Sequence, residues 1–206
     1  MIRQGGEVET ASTILRFWFG TATDDLDVAE QCGKLWWKKD AATDARIRER
    51  FAGLLDDAVN NRCDDWLTDA RGRLAMIILV DQFSRNMYRE TPRAFAHDHL
   101  ALKWCKDGLA AGVDRALRPI ERVFAYLPLE HSETLEDQDR SVDLFTELAN
   151  GVPEEKRKLF AGYADYAERH RDIVRRFGRF PHRNRILGRS SSDEELAFLK
   201  QPGSSF

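Results

Sequence analysis

Apolar residues recur at helical spacing along almost the whole chain, and no stretch alternates apolar and polar positions long enough to read as a strand. Ile14, Leu15, Phe17, Trp18 and Phe19 make residues 12–19 apolar nearly all round, so this first helix should be buried, with Gly20 as its stop. A less regular helical stretch spans 24–39 and ends in Trp36-Trp37. Thr43 or Asp44 can cap the next helix, whose Ile47, Phe51, Leu54/Leu55 and Ala58 follow one face to Asn60-Asn61. Residues 64–72 read as a loop carrying Trp66. Residues 74–85 read as the central helix. Its run LAMIILV is β-prone, but helices flank it on both sides and no second strand is available to pair with it.

Proline and glycine punctuate the second half. Thr91-Pro92 opens a helix that Gly112 ends. Pro119 opens another, which Pro128 should interrupt, because proline disfavours helical geometry at Leu127. A restarted helix runs to Ala149, with Gly151 as terminator. Pro153 begins the longest helix, which Gly178 stops after Phe177. A short turn follows Pro181, and Ser192 with Glu195 forms a capping box for a helix through Leu199. With short connections and no Gly/Ser-rich linker, residues 1–206 should be a single all-α domain of antiparallel helix pairs, frayed at 1–10 and 201–206.

Charge narrows the functional classes. The chain has 32 Lys and Arg against 35 Asp and Glu, a formal net charge of −3. That balance argues against a nucleic-acid partner. Arginine outnumbers lysine 24 to 8, which favours forked pairing with carboxylates or phosphates. The longest apolar run is far shorter than the ~20 residues that span a bilayer, so no membrane partner is expected. Three scattered cysteines without a CxxC spacing read as free thiols of a cytoplasmic protein.

Several residues could carry chemistry. Leu74, Ile78, Asp81 and Arg85 fall on one stripe, where Asp81 and Arg85 can pair, and Arg85 with Asn86 could face a ligand. In YLPLEHSE, Pro128 at a first helical turn would place Glu130 near the third position, which the helix dipole favours for a carboxylate. Glu130 and Glu133 would then share a face beside His131. His170 lies on the apolar stripe of the longest helix, either as a satisfied core histidine or paired with a carboxylate at a pocket. From Arg169 to Arg189 stand eight arginines and one acid, Asp172. Within that stretch Arg179, His182, Arg183 and Asn184 surround the short turn at Pro181, an arrangement suited to an anion. The bland alternative is internal neutralisation, since Glu130 to Asp143 holds six acids against one arginine. No metal-ligand spacing, cofactor-binding glycine motif or nucleophile motif occurs, so neither metal nor cofactor is assigned.

Four blocks, ILRFWFG at 14–20, LVDQFSRNMYR at 79–89, FAYLPLEHSE at 124–133 and RFGRFPHRNRILGR at 176–189, resemble the bacterial family known as domain of unknown function 924. The resemblance covers about residues 13–200. It implies an all-α fold in the tetratricopeptide-like superfamily, with hairpins stacked into an array or closed into a compact bundle, and it implies no activity. A regular 34-residue repeat is not found. Two functions remain. The first is a binding or interaction module whose Arg85, Asn86, Arg179, His182, Arg183 and Asn184 hold an acidic peptide or small anionic ligand. The second is a hydrolase or lyase acting on an anionic metabolite, with Glu130, His131, Glu133 and His170 as acid–base groups.

Overall fold

A computed structural model describes residues 9–205, which are all-α, with no strand among them. The helices are α1 (Ala11–Phe19), α2 (Asp25–Trp37), α3 (Ala41–Val59), α4 (Ala70–Ile77), α5 (Ser84–Met87), α6 (Asp98–Ala110), α7 (Pro119–Glu130), α8 (Leu135–Gly151), α9 (Glu154–Phe177) and α10 (Asp193–Phe198). The expected fraying at 1–8 lies outside the described residues. At the other end the tail docks: Ser204 is buried and its hydroxyl donates to Leu199 O.

Local chemistry sets most boundaries. Thr10 and Ser192 each form a reciprocal capping box, with Thr13 and Glu195 as partners. Asp40 caps α3 through Thr43 N–H, so that helix begins before the expected Thr43 or Asp44. Residues 64–72 are more ordered than a loop, with a 3-10 turn at Asp64–Thr68 and then α4, capped by Asp69.

The predicted central helix exists with a change of pitch. A π-helical turn, Ile78–Phe83, joins α4 to α5, and Leu74 to Ser84 is buried without a break. The rod crosses the main core, where Trp18 meets Phe83 and Phe124 edge-on at 5.5 Å in both cases. Helices α8 and α9 form the most extensively packed hairpin, and α7 lies against α8. A smaller apolar cluster of Ile173, Val174 and Phe180, with Phe177 and Phe198 against it, anchors the C-terminal segment.

Two expectations drawn from proline need correction. Pro128 does not break α7, which runs on through Leu129 and Glu130. The proline sits in the last turn, where its missing N–H removes a single helical bond, and the apolar positions around it are buried. Thr91-Pro92 opens only a 3-10 turn, Pro92–Ala94, and α6 starts at Asp98. Arg85 Nη1 donates to Ala94 O at 3.3 Å, so an arginine side chain rather than a continuing helix uses that carbonyl.

Candidate functional site: a buried acid, histidine and arginine cluster

The uninterrupted α7 reverses the setting of Glu130. It stands at the carbonyl end of a helix, where the dipole disfavours a carboxylate, instead of near an N-terminus. Burial, and then the neighbouring Asp81 charge, push its carboxyl up to about 8, so Glu130 is protonated at neutral pH. Its Oε1 lies 3.2 Å from His170 Nδ1, and that nitrogen is also 2.8 Å from Tyr166 O. Burial holds His170 down to about 3, hence neutral.

Asp81 is carried inward by the π turn, a local geometry that recurs at functional sites. Its Oδ1 is 2.7 Å from His131 Nδ1, and its Oδ2 accepts from Gln82 Nε2 at 2.6 Å. Burial would raise the Asp81 carboxyl, but Arg85, His131 and Gln82 hold it well below the carboxylate range. An ionised Asp81 places the His131 proton on Nδ1 and leaves the Nε2 lone pair available. Burial lowers His131 despite the opposing pull of Asp81, so the ring is neutral at pH 7.

The expected Asp81–Arg85 pair forms at 3.5 Å, but the main partner of Arg85 is Asp98, which accepts both guanidinium arms at 2.9 and 3.0 Å. Asn86 points the other way. Its amide donates to Asp44, which also holds Arg89, so Asn86 fixes α5 to α3 and takes no part in the cluster.

The C-terminal arginines divide. Arg179 is spent on Glu195, with both arms on the carboxylate at 2.7 and 2.8 Å. Arg189 grips Glu133 at 2.6 and 2.9 Å, and Glu133 also accepts Phe180 N–H at 2.9 Å. Glu133 lies in the turn after α7, so it does not share a helical face with Glu130. Asn184 is fully buried and accepts from Arg189 Nε at 3.0 Å, a brace for the same segment.

Arg183 differs from these. It is only 7% exposed, yet it forms no ion pair with any described residue. Nη1 donates to His131 O at 2.9 Å, and Nε is buried without a hydrogen-bond partner. Phe180 and Phe95 lie 4.4 and 5.1 Å from its central carbon. Burial, then Arg85, lower its pKa to about 10. Asp98, Glu133 and Asp81 act on it from a distance, but each is already bonded to another base: Arg85, Arg189 and His131. His182, held down to about 4 by burial and by Arg183, completes the group beside Phe180.

Of the residues the sequence singled out, Arg85, His131, His182 and Arg183 therefore meet, with Glu130 and His170 directly behind. Arg179 and Asn86 are engaged elsewhere. Asp98 was missed as a partner of Arg85, because thirteen residues and a bend separate them. Phe95 and Phe180, which flank Arg183, carried no signal beyond their apolarity. Among the described residues no group of three or more His, Cys, Asp or Glu is arranged to hold a metal ion.

A search of curated proteins finds no match. A solved structure of a protein of unknown function, ATU0120 from Agrobacterium tumefaciens, is similar to this chain. The two share 37% identity with a TM-score of 0.78, over 92% of this chain and 96% of that one. The family profile described as bacterial protein of unknown function (DUF924) matches residues 14–203, and the chain belongs to that family.

Proposed function

We propose that the cluster binds a small organic anion, a carboxylate or phosphate group carried by a metabolite or an acidic peptide, and that the protein acts as a binding module. One observation carries this reading: Arg183 is a buried cation that no carboxylate among the described residues pairs with. A buried charge left without a partner is costly, and an anion at Arg183 relieves that cost. Burial keeps His131 and His182 neutral, and a bound negative charge raises both toward protonation. Binding should therefore be accompanied by proton uptake. Stacked helical hairpins of the tetratricopeptide-like kind suit such a module. A cytoplasmic setting belongs to the same proposal, and the three buried free thiols accord with it.

The test is a thermal-shift and calorimetric titration with succinate and with inorganic phosphate, at constant ionic strength. Saturable stabilisation is expected for at least one of them, with proton uptake visible as a buffer-dependent enthalpy. Arg183→Met should fold and lose the response. No saturation by either anion, or an equal response in the variant, overturns the reading.

The Asp81–His131 pair favours a second reading, acid–base catalysis on the same anion. His131 Nε2 would accept a proton as general base, and protonated Glu130 would serve as the acid. A broad hydrolase and lyase screen with the parent and His131→Gln decides it. Turnover lost in the variant supports catalysis, whereas anion binding without turnover leaves the module reading alone.

A further inference from the structure

We infer a second ligand site, for an organic anion with an apolar body, in a cavity of about 290 Å³ between the 3-10 turn Val113–Ala116, α7 and α8. It lies away from Arg183, shares none of that cluster's residues, and stands independently of the preceding proposal.

Three arginines from separate elements converge on this cavity: Arg115 from the turn, Arg122 from α7 and Arg140 from α8. None of the three forms an ion pair with a described residue, although arginines elsewhere in the chain mostly find a carboxylate. Arg122 is fixed by backbone alone. Its Nε donates to Asp114 O and Leu117 O at 3.0 and 3.1 Å, and Nη2 donates to Arg115 O at 2.8 Å. Those bonds orient the guanidinium without neutralising it, so part of the ordering cost of binding is already met. Arg115 and Arg140 are exposed, and no carboxylate among the described residues pairs with either.

Two acids border the same space. Asp114 accepts the Tyr126 hydroxyl at 2.7 Å, which ties up one carboxylate and sets the aromatic ring in the wall. Glu147 is exposed on α8, two turns from Arg140. The balance is thus three cations to two anions, one of the latter already bonded. Leu144 and Leu148, one turn apart on α8, supply a buried apolar surface beside the arginines.

A cavity near the lower end of small-ligand sites, with a lining more polar than apolar, converging arginines and a small apolar patch, suits a compact anionic ligand. Guanidinium forks recognise carboxylates and phosphates. The matching ligand is a compact molecule with one such group facing the arginines and a hydrocarbon or aromatic part against Leu144, Leu148 and Tyr126.

The probe is phenyl phosphate, followed by calorimetry and by protein NMR shifts, with phenol and inorganic phosphate as controls. Phenyl phosphate should bind saturably. Inorganic phosphate should bind more weakly and phenol not measurably, and added salt should weaken the complex. Arg140→Gln and Arg115→Gln should each lower affinity by about tenfold, the loss of one charged hydrogen-bonded contact. Both side chains are exposed, so both variants should fold. Arg183→Met should leave phenyl phosphate affinity unchanged, which separates this site from the first. The inference is overturned if phenyl phosphate does not saturate, if phenol binds as well, or if neither arginine variant changes the affinity.

Discussion

Glu130 Oε1 approaches His170 Nδ1 to 3.2 Å, yet neither group is charged at neutral pH, so the contact is a neutral pair and not an ion pair. Its consequence for stability has a definite sign. The Glu130 carboxyl titrates near 4.5 in the unfolded chain and near about 8 when folded. Between those values the folded state holds the extra proton, so stability falls as pH rises, by at most about 1.4 kcal/mol per pH unit. Glu130→Gln removes the titration and keeps the polar shape. In urea unfolding from pH 5 to 8, the parent should lose stability relative to the variant. Parallel profiles would show that Glu130 is ionised throughout.

The histidines act in the opposite direction. Burial holds His170 at about 3 and His182 at about 4, against an ordinary value of 6.5. The unfolded chain gains these protons first as pH falls, so stability is lost from about 6.5 downward. His170→Asn should flatten the acid side of the stability profile without affecting the alkaline side. A variant whose acid limb matches the parent's would assign that loss to other groups.

Glu133 and Arg189 brace the segment that presents Arg183. Each side chain is about a quarter exposed, 26% and 25%, and the carboxylate also takes the Phe180 N–H. Glu133→Ala should cost about 2 kcal/mol, since it strands a guanidinium and a backbone donor. A double-mutant cycle with Arg189→Ala should give a coupling of about 1 kcal/mol or more. Additive effects would mean that the two side chains hold the segment separately.

The all-α class, the glycine stops at 20, 112 and 178 and the Ser192 capping box were readable because each follows from local chemistry. The Pro128 boundary was not. The proline rule weighs one lost N–H against backbone preference, and at position 128 the loss falls in a last turn surrounded by buried apolar side chains. That single misplacement also inverted the electrostatic reading of Glu130. Asp81 and Arg85 could be paired from their spacing, whereas the Asp98 and His131 partners depend on how three separate segments meet around the π turn. The basic run at 169–189 was plain, but composition does not say which arginine lacks an acid. Glu195, on a helix outside that run, takes Arg179, whereas no described acid pairs with Arg183, whose Nη1 donates only to His131 O.

Two glycines in helices should respond oppositely to the same substitution. A Cβ on Gly72 would lie 2.2 Å from the Trp66 carbonyl oxygen and 3.1 Å from the Asp69 carboxylate. The nearest obstacle is backbone, so relief requires the start of α4 to move, and α4 leads directly into the π turn that carries Asp81. Gly72→Ala should therefore destabilise by about 2 kcal/mol, the usual scale of overpacking. Gly53, exposed within α3, has nothing within 4 Å of its ideal Cβ. Gly53→Ala should stabilise by about 0.5–1 kcal/mol through helix propensity alone. Urea unfolding of both variants at one pH separates the two effects. If Gly72→Ala gained as much stability as Gly53→Ala, the close approach of Trp66 to α4 would be wrong, and with it the registration of the π turn against the 3-10 segment.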